Sequence, residues 1–350
     1  MRAVVTGGAG FVGTNLVSRL VADGRNVVLF DNLSRPGVEE NLAWIERTYG
    51  DAVEIQLGDI RDRRAVRRAV AGAAEVYHLA AQVAVTTSLE APRNDFRVNA
   101  EGTLTLLEEL RRLEPLPFLL FTSTNKVYGS LSDLSLARRG SRWEPTDPAI
   151  QQVGLSEERP LDFSTPYGCS KGAADQYVLD YAKTYGLPSV VFRMSCIYGP
   201  HQQGTEDQGW VAHFAVRALQ GRPITLYGDG AQVRDILFVD DLVQAMLEAR
   251  NAIADTAGRA FNMGGGPANA VSLLDVLELL SSLGAETDCR FATERQGDQR
   301  YYVANSSRFS ELTGWLPRVP AEEGIERLHA WLSAQRVTAG RRAGIPAAAR

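Results

Sequence analysis

Short β-branched runs alternate with amphipathic stretches through the first third of the chain. "RAVVT" precedes "VGTNLVSRLVADG", whose apolar residues recur at helical spacing, and "NVVLFD", "VEIQLGD", "EVYHLAA" and "FLLFTST" follow at intervals. Continuous apolar strands separated by helical patterns predict an α/β fold, a parallel sheet with crossover helices. From Met194 the texture loosens into Gly-Pro turns and stretches such as "YGPHQQGTEDQGW" and "LYGDGAQVRD", which predicts a second lobe woven into the first. The polar, Pro-containing stretch from Leu131 to Leu161 has no clear periodicity and reads as a functional loop or lid. The expected division is a domain over 1–193 carrying that 131–161 insertion, a lobe over 194–335, and a flexible tail over 336–350, where "VTAGRRAGIPAAAR" lacks an apolar face.

Composition narrows the class. A chain of 350 residues exceeds one compact core, so a large domain with a smaller lobe is expected. No apolar run approaches the ~18 residues of a membrane span, and "MRAVVTGGAG" enters a strand without the regions of a signal peptide, so a cytoplasmic address and no membrane partner are expected. Cys169, Cys196 and Cys289 are odd in number and far apart, which argues for reduced thiols and against a disulfide framework or a metal cluster. A net charge of -5 argues against nucleic acid as a partner, since phosphate backbones are held by basic faces.

"AVVTGGAGFVG" sets Gly7, Gly10 and Gly13 between a strand and a helix, with Phe11 and Val12 among the expected cofactor-binding positions. There the backbone can approach a pyrophosphate and offer it helix N-terminal amides. Glycine turns open many helices, so the GxxGxxG spacing is weak by itself. Asp31 strengthens it: at the end of the next strand a carboxylate accepts adenosine ribose hydroxyls and repels a 2'-phosphate, favouring NAD over NADP. Asn32 stands beside it, Asp59 and Ile60 end the third strand where an adenine edge would lie, and Leu79, Ala80, Ala81 and Gln82 supply the cofactor-facing turn after the fourth, with Val83 toward substrate. His78, within that strand, reads better as a packed, hydrogen-bonded core residue than as a catalyst.

"LLFTSTNKVYG" places Ser123 and Thr124 at the carboxyl edge of the sheet, where ligands bind in open α/β folds. Farther on, Ser164 or Thr165 reads as an N-cap with Pro166 at the first helical position, so Tyr167 and Lys171, four residues apart, share the face of a helix's first turns. A phenol titrates near ~10, and a neighbouring ammonium together with a positive nicotinamide ring favours phenolate at ~1.4 kcal/mol per pKa unit. Tyr167 then serves as general base toward a substrate hydroxyl, with Thr124 hydrogen-bonding the oxygen as it becomes a carbonyl. For the spacing alone a solvated Tyr and Lys is the commoner outcome; the glycine loop, Asp31 and "TST" reverse that weighting.

Together, "TGGAGFVG", Asp31, "VNAEGT", "TST" and "YGCSK" resemble the extended short-chain dehydrogenase/reductase superfamily, over nearly the whole chain to about Trp331. The resemblance implies a Rossmann-type doubly wound parallel sheet with a smaller C-terminal substrate-binding lobe, a Thr124, Tyr167 and Lys171 triad, and a structural asparagine at Asn99. Within the superfamily, "AAQVAVTTSLEAPRNDF", "STNKVYG", "YGCSKGAADQYVLDYA" and "TEDQGWVAHF" are most similar to the CDP-paratose 2-epimerases, also called CDP-tyvelose epimerases, whereas "MSCIYGPHQQG" departs from their pattern. That likeness implies tightly bound NAD, oxidation at C2 of a CDP-linked dideoxyhexose and reduction of the ketone from the opposite face.

The resemblance also implies that Arg234 grips a diphosphate and that Arg295 and Asp298 meet the diphosphate and ribose. Arg300 reads rather as a solvated arginine. Ser195 is expected beside the cofactor, Cys196 beside the sugar or as a small packing residue, and Gln208 and Trp210 beside the base, with core packing an equal account of the tryptophan. Sugar 4,6-dehydratases carry an Asp-Glu pair directly after the catalytic Thr because elimination needs an acid and a base. Asn125 and Lys126 occupy those positions, which disfavours elimination; Asn125 is expected to face substrate, and Lys126 either substrate or solvent. The expected partner is a nucleotide-diphosphate sugar, CDP-linked ahead of UDP-linked, and the superfamily habit is a homodimer through helices including the one bearing Tyr167. A UDP-sugar 4-epimerase, a one-way sugar dehydrogenase and, in another class, a catalytically silent NAD-binding regulator are the alternatives.

Overall fold

A computed structural model of the chain describes residues 1–295 and 297–343, with side chains through Gln335. The first half runs β1 (Arg2–Thr6), α1 (Phe11–Ala22), β2 (Asn26–Asp31), α2 (Val38–Tyr49), β3 (Val53–Leu57), α3 (Arg63–Val70), β4 (Glu75–His78), α4 (Val85–Glu90), α5 (Pro92–Phe96), α6 (Gly102–Leu110) and β5 (Phe118–Thr124). Next come β6 (Leu136–Arg139), β7 (Arg142–Pro145), α7 (Pro148–Val153), α8 (Thr165–Tyr185) and β8 (Ser189–Met194). The remainder is β9 (Cys196–Tyr198), α9 (Trp210–Leu219), β10 (Ile224–Tyr227), β11 (Val233–Phe238), α10 (Val239–Asn251), α11 (Ile253–Thr256), β12 (Arg259–Met263), β13 (Ala270–Ser272), α12 (Leu273–Ser282), β14 (Cys289–Ala292), β15 (Tyr301–Tyr302), α13 (Ser307–Thr313) and α14 (Ala321–Ala343).

Seven parallel strands in the order β12-β8-β5-β4-β1-β2-β3 form the central sheet. Both faces are covered, so its strands are apolar throughout rather than alternating. Along β1, Ala3 and Val5 pack into the core beneath α1, α2 and α10, while Val4 packs into the core beneath α3, α6 and α8. In α3, "RRAVRRAV" buries Ala65, Val66, Ala69 and Val70 and turns its arginines outward, as a helical period requires. The strand order reverses between β1 and β4, and the loops after these two strands open the crevice where such sheets bind ligands.

β12 and α10 lie far beyond residue 193 in the chain, yet β12 forms the edge of the central sheet, register Phe261 to Phe192, and α10 packs on α1. The smaller lobe is built on β11, which pairs with β9, β13 and β15, and on the β10–β14 pair. The 131–161 stretch holds more structure than a loop: β6 and β7 form a hairpin, α7 follows, and Leu155 is pinned by the Leu155 N–H to Val303 C=O bond at 2.8 Å and the Asn305 N–H to Leu155 C=O bond at 2.9 Å. Its scattered apolar residues Leu134, Leu136 and Ile150 become a face only against Tyr301, Tyr302 and Val303. In the stretch expected as a tail, the α14 backbone stays helical to Ala343, where alanine and arginine suit a helix; residues 344–350 lie outside the described residues. Among the described residues no helix is long and apolar enough to cross a membrane, no acid, Cys and His cluster could hold a metal, and the three cysteines are unpaired.

Candidate active site

The glycine loop is a cradle in which side chains have no room. Gly7 sits at φ +71°, and a Cβ there would lie 2.7 Å from the Ala80 nitrogen; one on Gly13 would lie 2.2 Å from the Gly7 carbonyl oxygen. The α1 N-terminus at Gly10 has no side-chain cap and no acid in its first turn, so the amides at Phe11 and Val12 and the positive end of the dipole remain for an anion. Asp31 is fixed by two amides, Ala9 N–H at 3.1 Å and Leu33 N–H at 2.8 Å, and burial raises its pKa. Beyond it, Asn32 Nδ2 donates to Asp59 at 2.9 Å, and Arg61, the partner that sequence reasoning missed, chelates Asp59 and holds its pKa low. Ile60 packs beneath them, 4% exposed. Replacing Gly13 by Ala is therefore expected to collapse the cradle: the variant should purify with little bound dinucleotide, measured by chromatography after denaturation.

Across the crevice, Leu79 continues from β4, its N–H bonding the Thr6 carbonyl oxygen at 3.0 Å, and the turn at Ala80, Ala81, Gln82 and Val83 is half-buried. Asn99 anchors this turn, accepting from Gln82 N–H at 2.9 Å and donating to Gln82 C=O at 3.0 Å and to Ser170 Oγ at 3.1 Å. Asn99 sits in a π-helical turn and acts on the site by fixing the Gln82 backbone with its side chain; Asp95, in contact with both Asn99 and Ser170, was not foreseen. Ser123 Oγ and Gln82 Oε1 are buried without a hydrogen-bond partner. Orphaned polar atoms, free helix amides and a glycine cradle together fit a bound dinucleotide.

His78 is the core residue its context suggested, bonded to Thr6 Oγ1 at 2.7 Å and Thr103 Oγ1 at 3.0 Å. Burial, with Lys171 adding to it, pulls its pKa from 6.5 to about 3. Between those values the unfolded chain binds the proton and the folded one does not, so stability is fully present above pH ~6.5 and falls as pH drops toward 3, by up to ~1.4 kcal/mol per unit. The urea midpoint is expected to drop from pH 7 to pH 5, with a smaller drop in His78→Gln.

β5 and β8 end in register, Thr124 opposite Met194, and this carboxyl edge carries Ser123 and Thr124 into the crevice. Thr165 rather than Ser164 caps α8: its Oγ1 accepts from Gly168 N–H at 3.3 Å, and its φ of +64° is a strained setting for a β-branched residue. Ser88 Oγ takes the Tyr167 N–H at 3.2 Å, so the first turn is held from two sides. Tyr167, 9% exposed, shares a hydrogen bond with Thr124. Lys171 Nζ donates to Thr122 C=O at 2.5 Å and lies 4.1 Å from the Phe121 ring centre.

The electrostatics depart from the sequence expectation. Burial pushes Tyr167 up to about 12, with the Thr124 hydrogen bond opposing and Asp95 adding to the rise, and burial pulls Lys171 down to about 7. Desolvation dominates both shifts, outweighing the Thr124 hydrogen bond at Tyr167 and the Asp175 and Asp95 carboxylates at Lys171, so the protein's own groups keep the phenol protonated.

On the substrate side, Arg234 Nη2 pairs with Asp298 Oδ1 at 2.7 Å, and Lys126 Nζ lies 3.7 Å from the same oxygen. Asn125 is buried beside Thr124. Cys196 Sγ accepts from Trp210 Nε1 at 3.4 Å, and burial raises the thiol's pKa. Arg295 stacks 3.7 Å over the Tyr227 ring and bonds the Glu206 carbonyl at 3.0 Å, which fixes the segment bearing Gln208, whose Oε1 is a further orphan. Arg300 is exposed beside Glu294, as a solvated arginine should be. Ser195 points to Asp235, bonding its carbonyl at 2.9 Å and its carboxylate, so its hydroxyl is engaged by the smaller lobe.

A family model described as the NAD dependent epimerase/dehydratase family matches residues 3–264. The chain is 40% identical over 342 residues to a CDP-paratose 2-epimerase of Salmonella typhi, covering 95% of this chain and 99% of that protein. It is 34% identical to a UDP-glucose 4-epimerase of Mycolicibacterium smegmatis, over 93% and 97% of the two chains. A solved UDP-glucose 4-epimerase of Thermus thermophilus, in complex with NAD, is similar with a TM-score of 0.78 at 32% identity, covering 95% of this chain and 99% of that one. The likeness spans both lobes as well as the nucleotide cradle, and the chain belongs to the NAD dependent epimerase/dehydratase family.

Proposed function

We propose that this chain is an NAD-dependent nucleotide-sugar epimerase that inverts C2 of a CDP-linked deoxyhexose. The observation that carries epimerisation over elimination is the turn after Thr124. Asn125, buried with its Oδ1 accepting from Thr124 Oγ1 at 3.5 Å, and Lys126, whose ammonium reaches Gln299, stand where an elimination would need a carboxylic acid and a carboxylate. The 40% identity to the Salmonella typhi protein supports C2 and CDP, and the Mycolicibacterium smegmatis likeness supports a UDP-sugar 4-epimerase as the second reading.

The Gly7–Gly13 cradle, Asp31, Ser123 and Gln82 would hold the dinucleotide, and Tyr167 and Lys171 would border it. Bound NAD supplies a reversible hydride acceptor and, when oxidised, a positive charge. Tyr167 takes the proton from the sugar hydroxyl and returns it after the ketone has turned over, acting as base in one direction and acid in the other. Thr124 holds the reacting oxygen throughout. Lys171 spans from the Thr122 carbonyl toward the crevice, so its ammonium favours the deprotonated phenol once positive charge opposes the burial cost. Incubation with a panel of CDP- and UDP-sugars, read by NMR for stereochemistry at each carbon, tests the reading. Inversion at C2 of a CDP-sugar is expected; inversion only at C4 selects the second reading, and no turnover with any sugar refutes both.

A further inference from the structure

Lys126 belongs to the segment that aims the catalytic hydroxyl: its N–H donates to Thr124 Oγ1 at 3.2 Å. Its ammonium reaches the other lobe, toward Gln299 Oε1 at 3.3 Å, Gly297 C=O at 3.5 Å and Asp298 Oδ1 at 3.7 Å. These contacts are long for a charged donor, which normally settles at ~2.7–2.9 Å. Arg234 is better served, with Val233 C=O at 2.7 Å, the Gln299 carbonyl, and Asp298 Oδ1 at 2.7 Å. One carboxylate thus faces two cations and lies a full ångström closer to the arginine. Lys126 is the cation left short of acceptors, and its side chain keeps 19% of its surface open.

We propose that the Lys126 ammonium binds the sugar-proximal phosphate of a nucleotide-diphosphate sugar, between the reacting carbon and Arg234. This rests on the C2 reading above. C2 adjoins the carbon that carries the phosphate, and Lys126, tied through its amide to Thr124 and reaching the Asp298 carboxylate that Arg234 holds, links the place of a hydroxyl at Thr124 to that of a phosphate at Arg234. The groups facing the ammonium are Arg234 from β11, Asp298 and Cys196. Burial first, then Arg234, pulls Lys126 from 10.5 to about 8, so the charge is present at neutral pH and is lost as pH rises through 8.

The test uses the NAD-loaded enzyme and titrates CDP and UDP by calorimetry into wild type, Lys126→Met and Lys126→Gln. Both variants are expected to bind both nucleotides about tenfold or more weakly while retaining wild-type NAD content and melting temperature. Wild-type affinity should fall between pH 7 and pH 9.5, and that of the variants should stay level. Binding within twofold of wild type in either folded variant overturns the proposal, as does loss of affinity that tracks loss of NAD and of melting temperature in both. Because every nucleotide diphosphate carries the probed group, a wrong base or sugar leaves this outcome readable, whereas silence across the sugar panel bears on the proposed function alone.

Discussion

Tyr167→Phe is expected to keep its NAD and lower kcat about a thousandfold, within the ~10²–10⁴ range of general acid–base catalysis. The phenyl ring fills the same buried space, and the Tyr167 N–H bond to Ser88 and the Thr165 cap are main-chain features that the change leaves alone. The hydroxyl alone is lost, and with it the proton carrier and the hydrogen bond to Thr124. Since burial holds the phenol near 12 against its ordinary 10, its reactive anion is the minority form at neutral pH, and the wild-type rate should climb with pH only until the Lys171 ammonium, pulled down to about 7 by burial, gives up its charge. The residual rate of the variant should be flat over the same interval. Cofactor absorbance after denaturation and NMR turnover measure the two halves; a variant within tenfold of wild type would remove Tyr167 from the mechanism.

Arg193→Met should cost about 3–5 kcal/mol of stability, a melting temperature lower on the order of 10 °C. Arg193 meets Asp175 through two bonds of 2.9 Å, and the Asp175 side chain is 0% exposed. Removing the guanidinium strands that carboxylate and also withdraws the 3.2 Å donor from Tyr128 Oη, itself bonded to Asn262 Oδ1 at 2.7 Å. Asp175 lies one helical turn beyond Lys171 on α8, so the damage should reach turnover as well as folding. The double change Arg193→Met with Asp175→Leu is expected to restore most of the lost stability, because an apolar pair of similar volume strands no charge. Thermal melts of the two singles and the double close the cycle; a single Arg193→Met that melts like wild type would show that the pair carries no net weight.

What could be read from residues alone was what depends on neighbours in sequence. The glycine loop, Asp31 at the end of β2 and the Pro166 start of α8 are local signals, and each is found where the pattern put it. Partners across long separations were invisible. Leu134, Leu136 and Ile150 have no period because the surface they cover, Tyr301 to Val303, comes from the other end of the chain. The Arg193–Asp175 pair reads as a strand arginine and a helix aspartate until β8 and α8 are packed. Lys126 was ambiguous because its acceptors lie on the 297–299 segment. The burial of Tyr167, which raises its pKa in the protein without a dinucleotide, is not legible from spacing, which reports the groups that are near and not how little water reaches them.

β12 has a practical consequence for anyone dissecting this enzyme. A fragment stopped at residue 193 would end before β8 is complete and leave that strand unpaired along its outer side, an invitation to aggregation. Exchanging sugar preference between relatives therefore calls for grafting separate stretches on either side of Arg259–Met263 together, since excision of everything after the first half would strip the nucleotide sheet of its own border.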